Sequence, residues 1–141
     1  MKNLFICVLS CFLVLGCSQK LEKKVVSSYP NGTPMQIDHL KLINGKKVVV
    51  KETRFYPNGE KSSEGEWTPD SKKCGTWTMW FQNGKKWIEE SYADGKKNGE
   101  STVWTDNGNK VYEGEYKDDL PTGTWKYYDA DGKISKKETL K

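Results

Sequence analysis

Apolar and polar residues alternate along most of the chain, and the alternation restarts at regular points. Counted from Gly59, Gly84, Gly108 and Gly132, the eighth residue is Trp67, Tyr92, Tyr116 and Leu140, and the fourth is Ser63, Ile88, Tyr112 and Lys136. The sixth is Gly65, Glu90, Gly114 and Glu138, while the fifth and seventh include Glu64, Glu66, Glu89, Glu113 and Glu115. Alternate residues of a strand point to opposite sides, so the pattern predicts strands with one aromatic face and one acidic, solvated face. Gly65 and Gly114 fall between same-face aromatics, where a missing side chain lets rings close over the backbone. The strand before each of the last three turns places Trp77 and Met79, Ser101 and Val103, or Trp125 and Tyr127 on one face. Trp80, Trp104 and Tyr128 form a column on the other. Apolar groups on both faces predict a twisted, curling sheet. No segment beyond the leader sustains a helical apolar period, so about ten strands of ordinary length and little or no helix are expected.

The turns set the punctuation. Pro30-Asn31-Gly32, Asn44-Gly45 and Pro57-Asn58-Gly59 separate strands over Val25–Tyr29, Met35–Ile43 and Val48–Tyr56. Asn83-Gly84, Asn107-Gly108 and Asp131-Gly132 close the later hairpins, and these dipeptides suit two-residue type I′ turns, in which both central residues need positive φ. The Pro-Asn-Gly turns suit a type I turn followed by a glycine bulge. Gly75, Gly99 and Gly123 step by 24 residues, as do Gly84, Gly108 and Gly132. A fixed period of this kind marks a repeat array.

Composition sharpens this picture. Hydrophobic residues make up 35% of the 141, and the mean hydropathy is −0.82, so a thick core is excluded. Aromatics at 12% exclude disorder and supply the area a thin sheet needs. The net charge of +4 comes from lysines mixed with acids, with Arg54 the one arginine. That balance describes a solvated mixed surface and no nucleic-acid groove. Cys7, Cys11 and Cys17 lie in the first seventeen residues and Cys74 in the body, so no internal disulfide framework is expected in the folded part. Cys74 is read as incidental.

The first residues read differently from the rest. Leu4–Leu15 is nearly all apolar but too short to cross a bilayer, which takes about 20 residues. It has the length of a signal-peptide core. Its end, Leu13-Val14-Leu15-Gly16-Cys17-Ser18, resembles the lipobox of bacterial lipoproteins, with Val14 where leucine is commonest. The resemblance implies a signal over 1–16, diacylglyceryl attachment at Cys17 and an acylated amino terminus. Two or more acyl chains give stable anchoring where one does not. The expected location is the cell envelope, on a membrane outside the cytoplasm, with residues 17–24 as a polar tether and a β-repeat domain over 25–141.

The pattern Gly-x-Trp-x-x-Trp/Tyr-x-x-Asn-Gly is carried by Gly75, Trp77, Trp80 and Gly84, and by Gly123, Trp125, Tyr128 and Gly132. Gly99, Trp104 and Gly108 carry it between them, with Ser101 in place of the first aromatic. An earlier unit at Phe55–Trp67 has Val50 in place of the first glycine. This pattern resembles the MORN repeat, and more closely its bacterial variant in YwqK-type antitoxin or immunity proteins. The resemblance is clearest over 50–141. It implies an all-β fold: an elongated, twisted antiparallel sheet of successive hairpins. It implies a role in binding or scaffolding, and for the bacterial family the neutralisation of a toxin. Its motif positions are structural, so no catalytic residue is carried over.

Candidate chemistry is sparse. His39 stands apart from any cysteine, and no spacing supports a metal site or a nucleophile. Asp70, Asp94 and Asp118 are read as turn formers. Lys46-Lys47, Lys85-Lys86 and Lys96-Lys97 are read as protection of edge strands. Trp80, Trp104 and Tyr128 are the candidate binding surface, with burial against the curl of the sheet as the alternative. The expectation is a non-enzymatic, lipid-anchored protein without cofactor or metal that binds a macromolecule, a toxin being the partner the resemblance implies. A carbohydrate or cell-wall binding module and a structural envelope scaffold stand beside it.

Overall fold

The computed structural model describes residues 21–140. The chain forms β1 (Glu22–Ser28), β2 (Pro34–Ile43), β3 (Lys46–Phe55), β4 (Lys61–Trp67), β5 (Lys73–Trp80), β6 (Lys86–Ala93), β7 (Lys96–Trp104), β8 (Lys110–Lys117), β9 (Leu120–Tyr128) and β10 (Ile134–Leu140). They make one ten-stranded antiparallel sheet whose spatial order is the order of the chain. The described residues contain no helix. At about 4.8 Å between strands the sheet is roughly 45 Å across. The alternation predicts this architecture. β1 begins three residues earlier than its apolar residues suggest, so part of the stretch read as a tether pairs with β2 through Glu22, Lys23 and Lys24. The leader and Cys17 lie outside the described residues.

Two kinds of turn alternate between the ends of the sheet, except at Thr68–Lys72, where the β4–β5 turn has the bulged form with Ser71 left-handed at φ 62°. At one end Asn44-Gly45, Asp94-Gly95 and Asp118-Asp119 have positive φ at both positions, the type I′ geometry that matches strand twist. The aspartates read as turn formers include two of these. At the other end the expected type I′ turns do not occur. Phe81, Thr105 and Asp129 each accept from a glycine amide three residues on, at 2.9–3.0 Å, and donate to the carbonyl four residues on. Gly84, Gly108 and Gly132 are left-handed, with φ of 79°, 97° and 76°, whereas Asn83, Asn107 and Asp131 are not. These are type I turns closed by a glycine bulge, as at Pro30-Asn31-Gly32 and Pro57-Asn58-Gly59.

The asparagines are kept for another reason. The Asn83 Oδ1 accepts from the Lys85 amide at 3.0 Å, while its Nδ2 donates to the Asp106 carbonyl in the next hairpin at 2.8 Å. Asn31 and Asn58 do the same toward Pro57 and Gln82. Tyr29 and Tyr56 hydroxyls add bonds to the Phe55 and Trp80 carbonyls. Each turn thus holds the next one along that edge of the array.

Every strand pair carries a register shift. Bulges of this kind raise local twist. Gly75 explains the repeated first glycine: it sits at the irregularity between Glu64 and Glu66, at φ 64°. A side chain is strained at that angle. In the earlier unit Val50 sits at the bulge between β2 and β3 without the left-handed angle.

The sheet is a single layer. Among the described residues the buried apolar side chains are Trp77 and Trp125, each 5% exposed. Both lie on the face predicted to be aromatic, each over a glycine of the preceding strand. A β-carbon on Gly65 would stand 2.1 Å from the Trp77 ring, and one on Gly114 would stand 2.3 Å from Trp125. Trp67 meets Trp77 edge-on at 5.0 Å, and Tyr116 meets Trp125 likewise at 5.2 Å. Indole nitrogens donate to backbone carbonyls, Trp77 to Glu66 and Trp125 to Thr122, so each ring is buried without an unmet donor.

Candidate binding surface

The opposite face carries the column Trp80, Trp104 and Tyr128. Strand alternation puts these side chains beside Thr78, Thr102 and Lys126. Across the strands runs a polar row in register: Thr53, Glu64, Thr78, Glu89, Thr102, Glu113, Lys126 and Lys137. The column is neither an exposed ladder nor a buried core. All three rings are half-buried, and a lysine of the preceding strand lies over each. Lys61 Nζ is 5.6 Å from the Trp80 centroid, Lys86 5.8 Å from Trp104, and Lys110 5.8 Å from Tyr128. At partly exposed sites such contacts contribute about 0.5–1 kcal/mol each.

The same lysines hold the glutamates of the polar row. Lys61 binds Glu64 at 3.0 Å, Lys86 binds Glu89, and Lys110 binds Glu113. A strict strand would put residues three apart on opposite faces. Here Ser62, Trp87 and Val111 are the extra residues of bulges, which return each glutamate to the face of its lysine. The unit is therefore an aromatic–lysine–glutamate triad repeated three times. The sequence carries its signal, Lys-x-x-Glu at 61–64, 86–89 and 110–113, but strict alternation hides it.

This arrangement corrects two expectations. The acidic face is not simply solvated: Glu64 and Glu113 side chains are each 23% exposed and paired with lysines. The lysine pairs do not guard edges, because Lys46-Lys47, Lys85-Lys86 and Lys96-Lys97 flank or lie on interior strands β3, β6 and β7. Lys85 donates to the Asn107 carbonyl at 2.9 Å, and Lys97 pairs with Glu90.

Electrostatics follow the geometry. Lys110, then Lys126 and the Tyr128 hydroxyl, pull the Glu113 carboxyl down to about 2. Burial pushes Glu64 upward, but hydrogen bonds from Lys61, Lys51 and Thr53 outweigh it and hold it below the usual carboxylate range. Glu113 in turn raises Lys110, Lys126 and Tyr128. Beside this triad lies a groove of about 290 Å³ lined by Glu100, Thr102, Lys110, Glu113, Thr124 and Lys126, among others. It presents both charges and two hydroxyls, the chemistry of a polar contact surface. His39 is half-buried against Thr53, and its pKa is lowered, first by burial and then by Lys51 and Lys23. Among the described residues, no group of three His, Cys, Asp or Glu is placed to hold a metal, and no helix is long and apolar enough to cross a membrane.

Three consecutive segments, 73–94, 97–118 and 121–141, match a known repeat pattern. Each matches the MORN repeat variant. The MORN-variant repeats correspond to β5–β6, β7–β8 and β9–β10, so the hairpin that opens on the bulge glycine is the repeating unit. The sheet continues on the N-terminal side through four strands that lie outside the matched segments. No curated protein matches the chain. The MORN-variant repeats support a repeat-based binding or scaffold role, and two of the three triads lie wholly within them, the first taking Lys61 and Glu64 from β4.

Proposed function

We propose that this chain is a non-enzymatic binding protein, held at an envelope membrane by a lipid on Cys17, whose ligand is another protein, a toxin that it neutralises. The observation that carries the binding role is the single-layer sheet, which leaves half-buried aromatics and paired charges on both faces of β4–β9. Trp and Tyr rings of that kind are enriched at protein interfaces and among their energetically dominant residues. The anchor is supported by the leader ending in Leu-Gly-Cys17, and the toxin reading by the likeness of the repeats to the bacterial antitoxin variant.

Three measurements test the reading. Metabolic labelling with a palmitate analogue should mark the wild type and not Cys17→Ala; equal labelling removes the anchor. Capture from envelope extract by the chain beginning at Cys17 should recover one protein, with recovery reduced in a Trp80→Ala/Trp104→Ala variant. Recovery that ignores the variant excludes the column as the contact. Co-expression with the product of the adjacent gene should relieve that product's toxicity; an adjacent product without toxicity counts against neutralisation and leaves the binding role intact. A saccharide platform on the column is less well supported, because Lys61, Lys86 and Lys110 already lie over its rings. Tryptophan fluorescence that shifts with peptidoglycan fragments and not with protein would reverse that order.

A further inference from the structure

On the aromatic face, one row of positions runs through Glu52, Gly65, Trp77, Glu90, Ser101, Gly114, Trp125 and Glu138. Twice in this row a glycine is followed on the next strand by a tryptophan whose ring closes over it: Gly65 under Trp77 across β4–β5, and Gly114 under Trp125 across β8–β9. Between them, across β6–β7, both partners differ together. Glu90 stands where the glycine would be, and Ser101 where the tryptophan would be.

Apart from the Phe81–Trp87 pair at the β5–β6 turn, the ring contacts fall into two groups. Trp67, Trp77 and Tyr92 form one, on β4–β6. Tyr112, Tyr116, Trp125 and Tyr127 form the other, on β8–β9. What joins them is polar. Glu90, 7% exposed, accepts from the Tyr92 hydroxyl at 2.8 Å and pairs with Lys97, whose Nζ lies 4.9 Å from the Tyr116 centroid. Burial opposes the charge on Lys97, yet Glu90 keeps its pKa above the ordinary value. Ile88 opposite Val103 is the apolar pair across the same seam. Ser101 is 1% exposed, and its hydroxyl has no hydrogen-bond partner.

These features weaken the seam that lies between the two clamped pairs, β4–β5 and β8–β9. Glu90 is buried but the Lys97 side chain is 32% exposed, so solvent screens their attraction while Glu90 is still desolvated, and the pair stabilises less than well-packed rings of similar volume. An unmet buried hydroxyl adds a further penalty. In a repeat array, stability is close to a sum of units and nearest-neighbour interfaces, so the weakest interface opens first. We infer that the β6–β7 seam is a built-in joint: the sheet opens and changes twist there, while the two tryptophan-clamped blocks on either side move as units. The joint is independent of what the protein binds.

Native-state hydrogen exchange on the whole chain tests it. Amides that pair β6 with β7 should exchange about tenfold faster than those pairing β4 with β5 or β8 with β9, each step of that size being one decade in the opening equilibrium. Equal or slower exchange at β6–β7 overturns the joint whatever the variants do. Glu90→Gly with Ser101→Trp restores both missing partners and should slow exchange at this seam to the level of its neighbours; no slowing in the folded double variant also overturns it. Lys97→Met keeps the aliphatic cover over Tyr116 while removing the charge. It should speed exchange across β6–β7 alone, and an equal rise at all seams would show general destabilisation and defeat the proposal.

Discussion

Single residues decide whether this thin sheet has a core at all. Gly65 is the clearest case, because the Trp77 ring occupies the space a β-carbon needs. Gly65→Ala must push the ring off the sheet, and overpacking of this kind costs about 1–3 kcal/mol. Thermal unfolding followed by circular dichroism should show the loss, together with a change in the near-ultraviolet signal of the Trp67–Trp77 pair; an unaltered melt would mean that the ring is not seated there. Glu113 gives a prediction in pH. Its carboxyl is drawn down to about 2 from an ordinary 4.5, so the folded state binds its proton less readily than the unfolded state. Its contribution is therefore complete above about pH 4.5 and fades as pH falls toward 2. Glu113→Gln should lower the melting temperature near neutrality, with the gap to wild type closing below pH 4.5; a gap of constant size would assign the effect to packing instead. The glycine at 65 was legible from sequence, because it interrupts a run of same-face aromatics. The pairing of Glu113 was not, because it depends on a bulge.

At the scale of the element, the hairpins show which signals survive translation into structure. The dipeptides Asn83-Gly84 and Asn107-Gly108 mark the turns correctly, but the turn type follows from the loop length, which the dipeptide alone does not fix. With three residues between closing partners, only the glycine becomes left-handed; Asn83 is then released to bridge to the next hairpin, while at the second turn Asn109 makes the bridge, to the Ala130 carbonyl. Asn83→Asp separates its two jobs. The Oδ1 acceptor for the Lys85 amide remains, while the donor to the Asp106 carbonyl becomes a second acceptor. The expected loss is about 1 kcal/mol, near that of one hydrogen bond. Urea unfolding should show it as a lower midpoint at unchanged slope. If Asn83→Asp matches wild type, the link between hairpins contributes nothing and the asparagine serves its own turn. Strands were readable because period-two alternation is a local property. The triads were not, because one extra residue in Lys86-Trp-Ile-Glu89 reverses the expected face of the glutamate.

For the whole molecule, the strand count was readable because turns recur at nearly even spacing, and each hairpin's neighbour in sequence is its neighbour in space. What no local pattern reveals is how stability is distributed along the array. The structure places it in two aromatic clusters and leaves the N-terminal edge thin: β1 carries exposed Val25 and Val26 and enters no ring contact. Removing residues 120–141 takes away β9 and β10 and with them Trp125, the ring that covers Gly114 and meets Tyr112 and Tyr116. It also strips Lys126 and Tyr128 from Glu113. Removing residues 21–28 takes away one strand and leaves Tyr29 bonded to Phe55. Since the C-terminal deletion removes two strands and a buried ring together, whereas the N-terminal one removes one strand of mostly exposed side chains, the C-terminal deletion should lower the melting temperature far more than the N-terminal one. It should also leave the near-ultraviolet signal of Trp67 and Trp77 in place, because their cluster lies on β4–β6. Melts of the two truncated chains beside the full one decide the matter. If loss of β1 costs as much as loss of β9 and β10, backbone pairing governs this sheet and the ring clusters do not.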